Sequence, residues 1–234
     1  MLNHRLSFRT TLGVLALLTC STLLFVAITT TAQAAVFQPA GLSPGEQYQL
    51  VFVTSGTRDG GSGTIADYNA FVQTQAALNP SLTGTDDGIS YTAIAWTSDI
   101  STTPPNTNAL VVGPVYNTSG GLVANSFSDM WDSVLTNHMG YDQFGVLSDT
   151  NVWTGMVSNG TTFASRRLGN SFPYYGSSTS VSSTWAENGN TGWSTTLPLY
   201  ALSTQITAVP EPSTTLLLGT GLAVLAASRR RSFR

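Results

Sequence analysis

Two apolar runs, one near each end of this 234-residue chain and each flanked by arginine, limit the length left to build a globular core. The first runs from Leu12 to Ile28 after Arg5 and Arg9, and Ala32, Gln33, Ala34 and Ala35 follow it. A cationic start, an apolar stretch and a small-x-small ending are the marks of an export signal, with cleavage expected after Ala34. The run is long for such a signal, so an uncleaved anchor is the competing reading. Cys20, the chain's one cysteine, lies inside the run, which leaves the rest of the chain neither a disulfide framework nor a thiolate metal cage. The second run, Thr214 to Ser228, follows Val209-Pro210-Glu211-Pro212-Ser213 and ends at Arg229-Arg230-Arg231. Each proline fixes its own torsion and restricts the residue before it, so the run is set off by a stiff break. At about 1.5 Å per residue it is short for a bilayer core of about 30 Å, and a marginal transmembrane helix with cytoplasmic arginines is expected.

The order Val-Pro-Glu-Pro-Ser, apolar segment, arginine cluster resembles the PEP-CTERM sorting signal of Gram-negative bacteria. That resemblance implies export through the inner membrane, temporary retention there, and recognition of Pro210, Glu211 and Pro212 by an exosortase that removes the tail. It also implies a final place at the cell surface or in an exopolysaccharide matrix. The chain thus divides into a secretion signal, 1–35, an exported body, 36–208, and a sorting signal, 209–234. The tail is an address and says nothing about what the body does.

Charge is segregated in the same way. Of nine arginines, six lie in the end segments, and there is no lysine. From Val36 to Ala208, 11 carboxylates face Arg58, Arg166 and Arg167, a formal charge of −8. Nucleic acid is excluded as a partner of the body, because phosphate recognition needs a positive footprint that three arginines cannot supply.

Within the body, Tyr48, Leu50 and Phe52 fall on one alternation and Val51 and Val53 on the other, predicting a strand with both faces at least partly buried. Thr64 opens a helical pattern, with Asp67 placed to complete a capping box. Ile65, Tyr68, Val72 and Ala76 share one face, which Phe71 broadens, and Asn79-Pro80 ends the pattern. A further strand is expected at Tyr91 to Trp96, Ala109 to Tyr116 is a second apolar run, and Asn151 to Gly155 reads as a strand entering a turn. A short helix is expected within Ser126 to Leu135, and Gly192-Trp193-Ser194 and Leu197 to Leu202 could close the domain. Elements in this order make an α+β body with many loops rather than a doubly wound sheet. Each of the five tryptophans can bury about 150–250 Å², enough to organise a core without disulfides.

A second resemblance runs through the body. Val51-Phe52-Val53-Thr54-Ser55-Gly56-Thr57, Ala66-Asp67-Tyr68-Asn69, Trp96, Pro114-Val115-Tyr116, Met130-Trp131-Asp132, Val152-Trp153-Thr154-Gly155 and Leu199-Tyr200-Ala201-Leu202 form an ordered series. The series resembles the bacterial endostatin and C-type-lectin-like family, which implies two helices beside small antiparallel sheets and long loops. The family's paired cysteines are missing, as is the Glu-Pro-Asn or Gln-Pro-Asp loop of its sugar-binding members. The resemblance therefore implies a shared fold rather than calcium-dependent sugar binding.

Residues that could carry chemistry are few. No phosphate loop, zinc helix or nucleophile elbow is present, and His138 is the body's one histidine. Asp86 and Asp87 precede Gly88 and suit either a solvated polar turn or, with other oxygens, a Ca²⁺ site. Arg58 can recognise a carboxylate or anionic sugar through its planar donors, or it can pair locally. Trp185, beside Glu187 and glycines, is the indole most expected to lie open for sugar stacking. These features imply no catalytic residue and no cofactor. The expected function is a non-enzymatic surface or matrix protein that attaches to or organises an exopolysaccharide layer. A secreted carbohydrate-active hydrolase with an acidic pair and a purely structural protein-contact module are the alternatives.

Overall fold

The computed structural model of the chain describes residues 36–84, 88–99 and 108–209. The expected export signal, Asp86 and Asp87, most of the Ser101 to Asn108 loop, and the tail from Pro210 onward lie outside the described residues.

The body is mixed α+β, with small and mostly antiparallel sheets. In chain order it contains β1 (Gln47–Val53), β2 (Arg58–Asp59), α1 (Ile65–Ala76), α2 (Pro80–Thr83), β3 (Tyr91–Ala93), β4 (Val115–Asn117), β5 (Leu122–Ala124) and α3 (Phe127–Met130). There follow β6 (Asn151–Trp153), β7 (Tyr174–Ser177), β8 (Gly189–Asn190), β9 (Thr196–Leu197), β10 (Tyr200–Ser203) and β11 (Ile206–Thr207), with single 3₁₀ turns at Ala164–Arg166 and Ser183–Trp185. The main sheet has the order β3-β10-β1-β4-β5, and β11 also pairs with β1. Only the β1–β4 ladder in it is parallel. A β2–β9 pair and a three-stranded β6-β7-β8 sheet complete the strands.

Strand β1 is the spine. Six of its seven residues are buried, and its alternation divides the core between the two faces of the sheet. Tyr48, Leu50 and Phe52 join Tyr68, Val72 and Ala76 of α1 on one side. Val51 and Val53 join Trp131, Trp185 and Tyr200 on the other. Burial on both faces follows from having helix on one side and long loops on the other, which is why both alternations of β1 are apolar.

Helix α1 ends where Asn79-Pro80 predicts, but it begins differently from the capping-box expectation. The Thr64 side chain makes no cap hydrogen bond. Instead the Asp99 carboxylate, 34 residues away, accepts from the Ile65 N–H at 3.1 and 3.3 Å and is itself held by the Thr97 hydroxyl. Asp67 accepts from Ser62 Oγ at 2.6 Å. The cap is thus tertiary, and it satisfies an orphan donor at the positive end of the helix.

Three other expected elements are shorter. The expected Ser126 to Leu135 helix forms only over Phe127–Met130, so the body has one substantial helix rather than two. Of Ala109 to Tyr116, only the end pairs as β4. The preceding loop is pinned by the buried Gln49 amide, whose Nε2 donates to the Leu110 and Ser203 carbonyls and whose Oε1 accepts from Val112 N–H at 2.8 Å. Strand β3 stops at Ala93, after which the Ile94 and Trp96 N–H groups donate to Tyr200 and Thr154 carbonyls.

The transmembrane expectation is corrected: among the described residues no helix is long and apolar enough to cross a membrane. The Thr214 to Ser228 segment on which the expectation was placed lies outside the described residues.

Candidate ligand-binding face

The antiparallel ribbon made by β1 with β10 and β11 separates two ends. At one end Gln47 pairs with Thr207, the Ala208 N–H donates to Glu46 O at 2.7 Å, and the Val209 N–H donates to Gln38 Oε1 at 2.9 Å. The chain thus enters and leaves the body side by side. At the other end Val53 pairs with Tyr200, Arg58 with Leu197 and Asp59 with Thr196. Beyond that pair the Gly60 N–H donates to Trp193 O at 2.8 Å. The six rises from Gln47 to Val53 alone put about 20 Å between the two ends.

Trp193 is the open indole of the body, 48 % exposed. Two loops hold it in place. The Trp193 backbone N–H donates to Ser171 O at 3.2 Å, and its ring lies against Gly61, where an added Cβ would come within 2.7 Å of Cε3. Glycine is needed at 61 because any side chain would lift the ring from the loop. Asp59 Oδ1 accepts from the Gly61 N–H at 3.0 Å, which sets an exposed carboxylate beside the indole. Ser194, Thr195 and Thr196 follow as exposed hydroxyls. From Ser171 the surface continues to Phe172, which is exposed and whose carbonyl accepts from Arg166 Nη1, and to the exposed Phe163, packed edge-on against Tyr174 at 6.4 Å.

Beneath this face is Trp153, fully buried, with Nε1 donating to Arg58 O at 3.1 Å. Each of the body's three arginines stacks on an aromatic ring. The Arg58 guanidinium sits 4.2 Å from the Tyr68 centroid and donates from Nη1 to Asp67 O at 2.8 Å. Arg166 lies 5.6 Å over Tyr174, and Arg167 lies 5.4 Å over Trp96. Such stacking is worth about 0.5–1 kcal/mol at exposed sites and more where water is excluded. The Tyr174 phenol is raised above its ordinary pKa by desolvation and by its neighbour Glu187, with Arg166 pulling the other way. Tyr68 is raised chiefly by burial, which Arg58 opposes.

The residues singled out from sequence have different fates. Arg58 belongs to this face, half-buried, and ties β2 to α1. Trp185 does not. It is 0 % exposed, packed between Trp131 at 5.9 Å and Tyr200 at 6.1 Å, so it has no free face for a sugar ring. The polar neighbours that suggested exposure sit on the turn around it, while the ring itself is drawn into the core.

Asp86 and Asp87 lie outside the described residues, as do Pro210, Glu211 and Pro212. The carboxylates that might have joined a Ca²⁺ site are engaged locally instead. Asp129 accepts from Asn125 N–H, Asp132 from Val134 N–H, Asp142 from Phe144 and Val146 N–H, and Asp149 from the Thr179 hydroxyl. Among the described residues no three metal-ligating side chains gather. His138 stacks on Tyr141 at 5.2 Å, and its Nδ1 accepts from the Gly140 N–H at 3.2 Å. Sequence reasoning placed Trp193 in a closing segment of the domain. The signal that could have found it is its setting, Asn188 to Thr196, which has no other apolar side chain beyond a methyl group.

A small α+β body with an open aromatic face at one end and both chain ends at the other is the class these observations define. Residues 208–231 match the PEP-CTERM protein-sorting motif. The motif supports an exported, cell-surface or extracellular role, C-terminal processing, and interaction with an exosortase during export. It begins at Ala208, the last residue tied to β1's start, so the sorting signal leaves from the end opposite Trp193. No curated protein matches the chain.

Proposed function

We propose that this protein is an exported, non-enzymatic component of the cell surface or extracellular matrix that attaches to a polysaccharide-rich layer through the face around Trp193. The observation that carries the reading is an indole held open by two loops at the end of the body farthest from the sorting signal. Aromatic rings with a polar edge suit sugars, which offer an apolar C–H face and a rim of hydroxyls. The ordered series of fragments and the long loops beside small sheets support a C-type-lectin-like fold as part of the same proposal. The proposal also includes a division into a removable leader, 1–35, a body, 36–208, and a sorting tail, 209–234, with Pro210, Glu211 and Pro212 read by the exosortase.

The test is co-sedimentation of the full chain with exopolysaccharide from its host, for the native protein and for Trp193→Ala. Native protein is expected in the pellet, and the variant is expected to stay in solution with an unchanged circular dichroism spectrum. Equal pelleting of both proteins would remove Trp193 from the contact. No pelleting of either would remove the attachment itself.

A further inference from the structure

Resting on the polysaccharide reading, we propose that the Trp193 face takes an uncharged, hydroxyl-rich polysaccharide and rejects acidic ones. The argument is one of charge direction. Arg58, Arg166 and Arg167 are all only half exposed, each is stacked on a ring of the protein itself, and the Nε atoms of Arg58 and Arg167 are buried. These cations are engaged with rings and carbonyls of the protein itself. The exposed ionic group beside the indole is a carboxylate, Asp59 against Gly61, and a second exposed carboxylate, Asp67, stands on the first turn of α1 next to Arg58.

The whole body repeats that bias, with 11 carboxylates against 3 arginines between residues 36 and 208. A chain of uronates laid on Trp193 would bring repeated negative charge against Asp59 within the screening length of about 8 Å at physiological salt. The guanidiniums of this face are already engaged, each stacked on a ring and those of Arg58 and Arg166 also bonded to a backbone carbonyl. A neutral sugar meets the same groups favourably. Its C–H face lies on the indole, and a hydroxyl donates to Asp59. That carboxylate has about four acceptor positions, of which the Gly61 N–H takes one. The Ser194, Thr195 and Thr196 hydroxyls extend the polar rim.

Affinity electrophoresis of the full chain through gels containing hydroxyethylcellulose, dextran or alginate tests this. Retardation by at least one of the two neutral polymers is expected, equal at low and high salt. Trp193→Ala should weaken it about tenfold or more, as for a central aromatic contact. Asp59→Asn, which keeps an acceptor for the Gly61 N–H, should weaken it several-fold without loss of fold. Retardation by alginate alone, fading as salt is raised, would overturn the uncharged-ligand inference and leave the polysaccharide reading standing. Retardation by none of the three, together with no pelleting on host exopolysaccharide, would overturn both.

Discussion

Strands β1, β10 and β11 are held by repeating ladders of backbone pairs, whereas residues 155–195, apart from short β7 and β8, are held by isolated backbone bonds and by side chains that reach for backbone groups. In the first region seven registered pairs zip residues 47–53 and 58–59 to residues 196–207. In the second, Thr162 Oγ1 donates to Gly155 O, Asn170 Nδ2 to Ala164 O, and Arg166 Nη1 to Phe172 O. Gly155 has φ +64°, and a Cβ there would run into the Trp96 carbonyl oxygen. A ladder repeats one bond along its length and tolerates change at a single position. A loop fastened by single contacts has no such redundancy, but it can hold an aromatic ring outward, as it does Trp193.

The junction of the two regions is the place to break that contrast most severely. Trp153 is fully buried between them, paired across β6–β7 to Tyr175 and bonded to Arg58 O. Trp153→Ala should cost about 3–5 kcal/mol in urea unfolding. It should also release the Trp193 loop to protease before the main sheet unfolds. A loss of sheet and loops together, with no early cleavage, would show that the two regions form a single cooperative unit.

Alkaline unfolding probes the packed side of the contrast. Burial raises the pKa of Tyr68, Tyr91 and Tyr200 above the ordinary value of 10.0. The folded state therefore keeps protons that the unfolded chain releases. Stability from this source is fully present below pH 10 and is lost as pH rises beyond it, by about 1.4 kcal/mol per pH unit for each tyrosine. Melting temperature should be flat from neutral pH to about 9.5 and fall steeply above 10. A fall beginning well below pH 9 would mean that other groups govern the fold.

A smaller effect sharpens the comparison at the helix that links the two regions. Asp99→Ala removes the distant cap of α1 and should cost about 1 kcal/mol, with faster amide exchange confined to the first turn. Thr64→Ala should be nearly silent, because the Thr64 side chain makes no cap bond. The reverse ranking would restore the local capping box.

How much was legible follows the same division. Both faces of β1, the span of α1 with its stop at Asn79-Pro80, and β6 at Asn151–Trp153 were readable, because each depends on periodicity within a dozen residues. The capping partner of α1 was not, since Asp99 is close to Ile65 only after β3 has been placed. Nor was the exchange of roles between Trp185 and Trp193. Both follow polar, glycine-containing sequence, yet Tyr200 and Trp131 pull one ring inward while Gly61 and Ser171 prop the other outward.

The sequence by itself determined the route and the charge of this protein. The sorting motif and the segregation of arginine to the two ends are linear properties that need no folding to act. Tertiary structure alone decided which indole is open, where the three arginines point, and that the sorting signal departs from the end away from Trp193. Those outcomes depend on contacts between residues far apart in the chain, and no local pattern encodes the side of a loop on which a ring comes to rest.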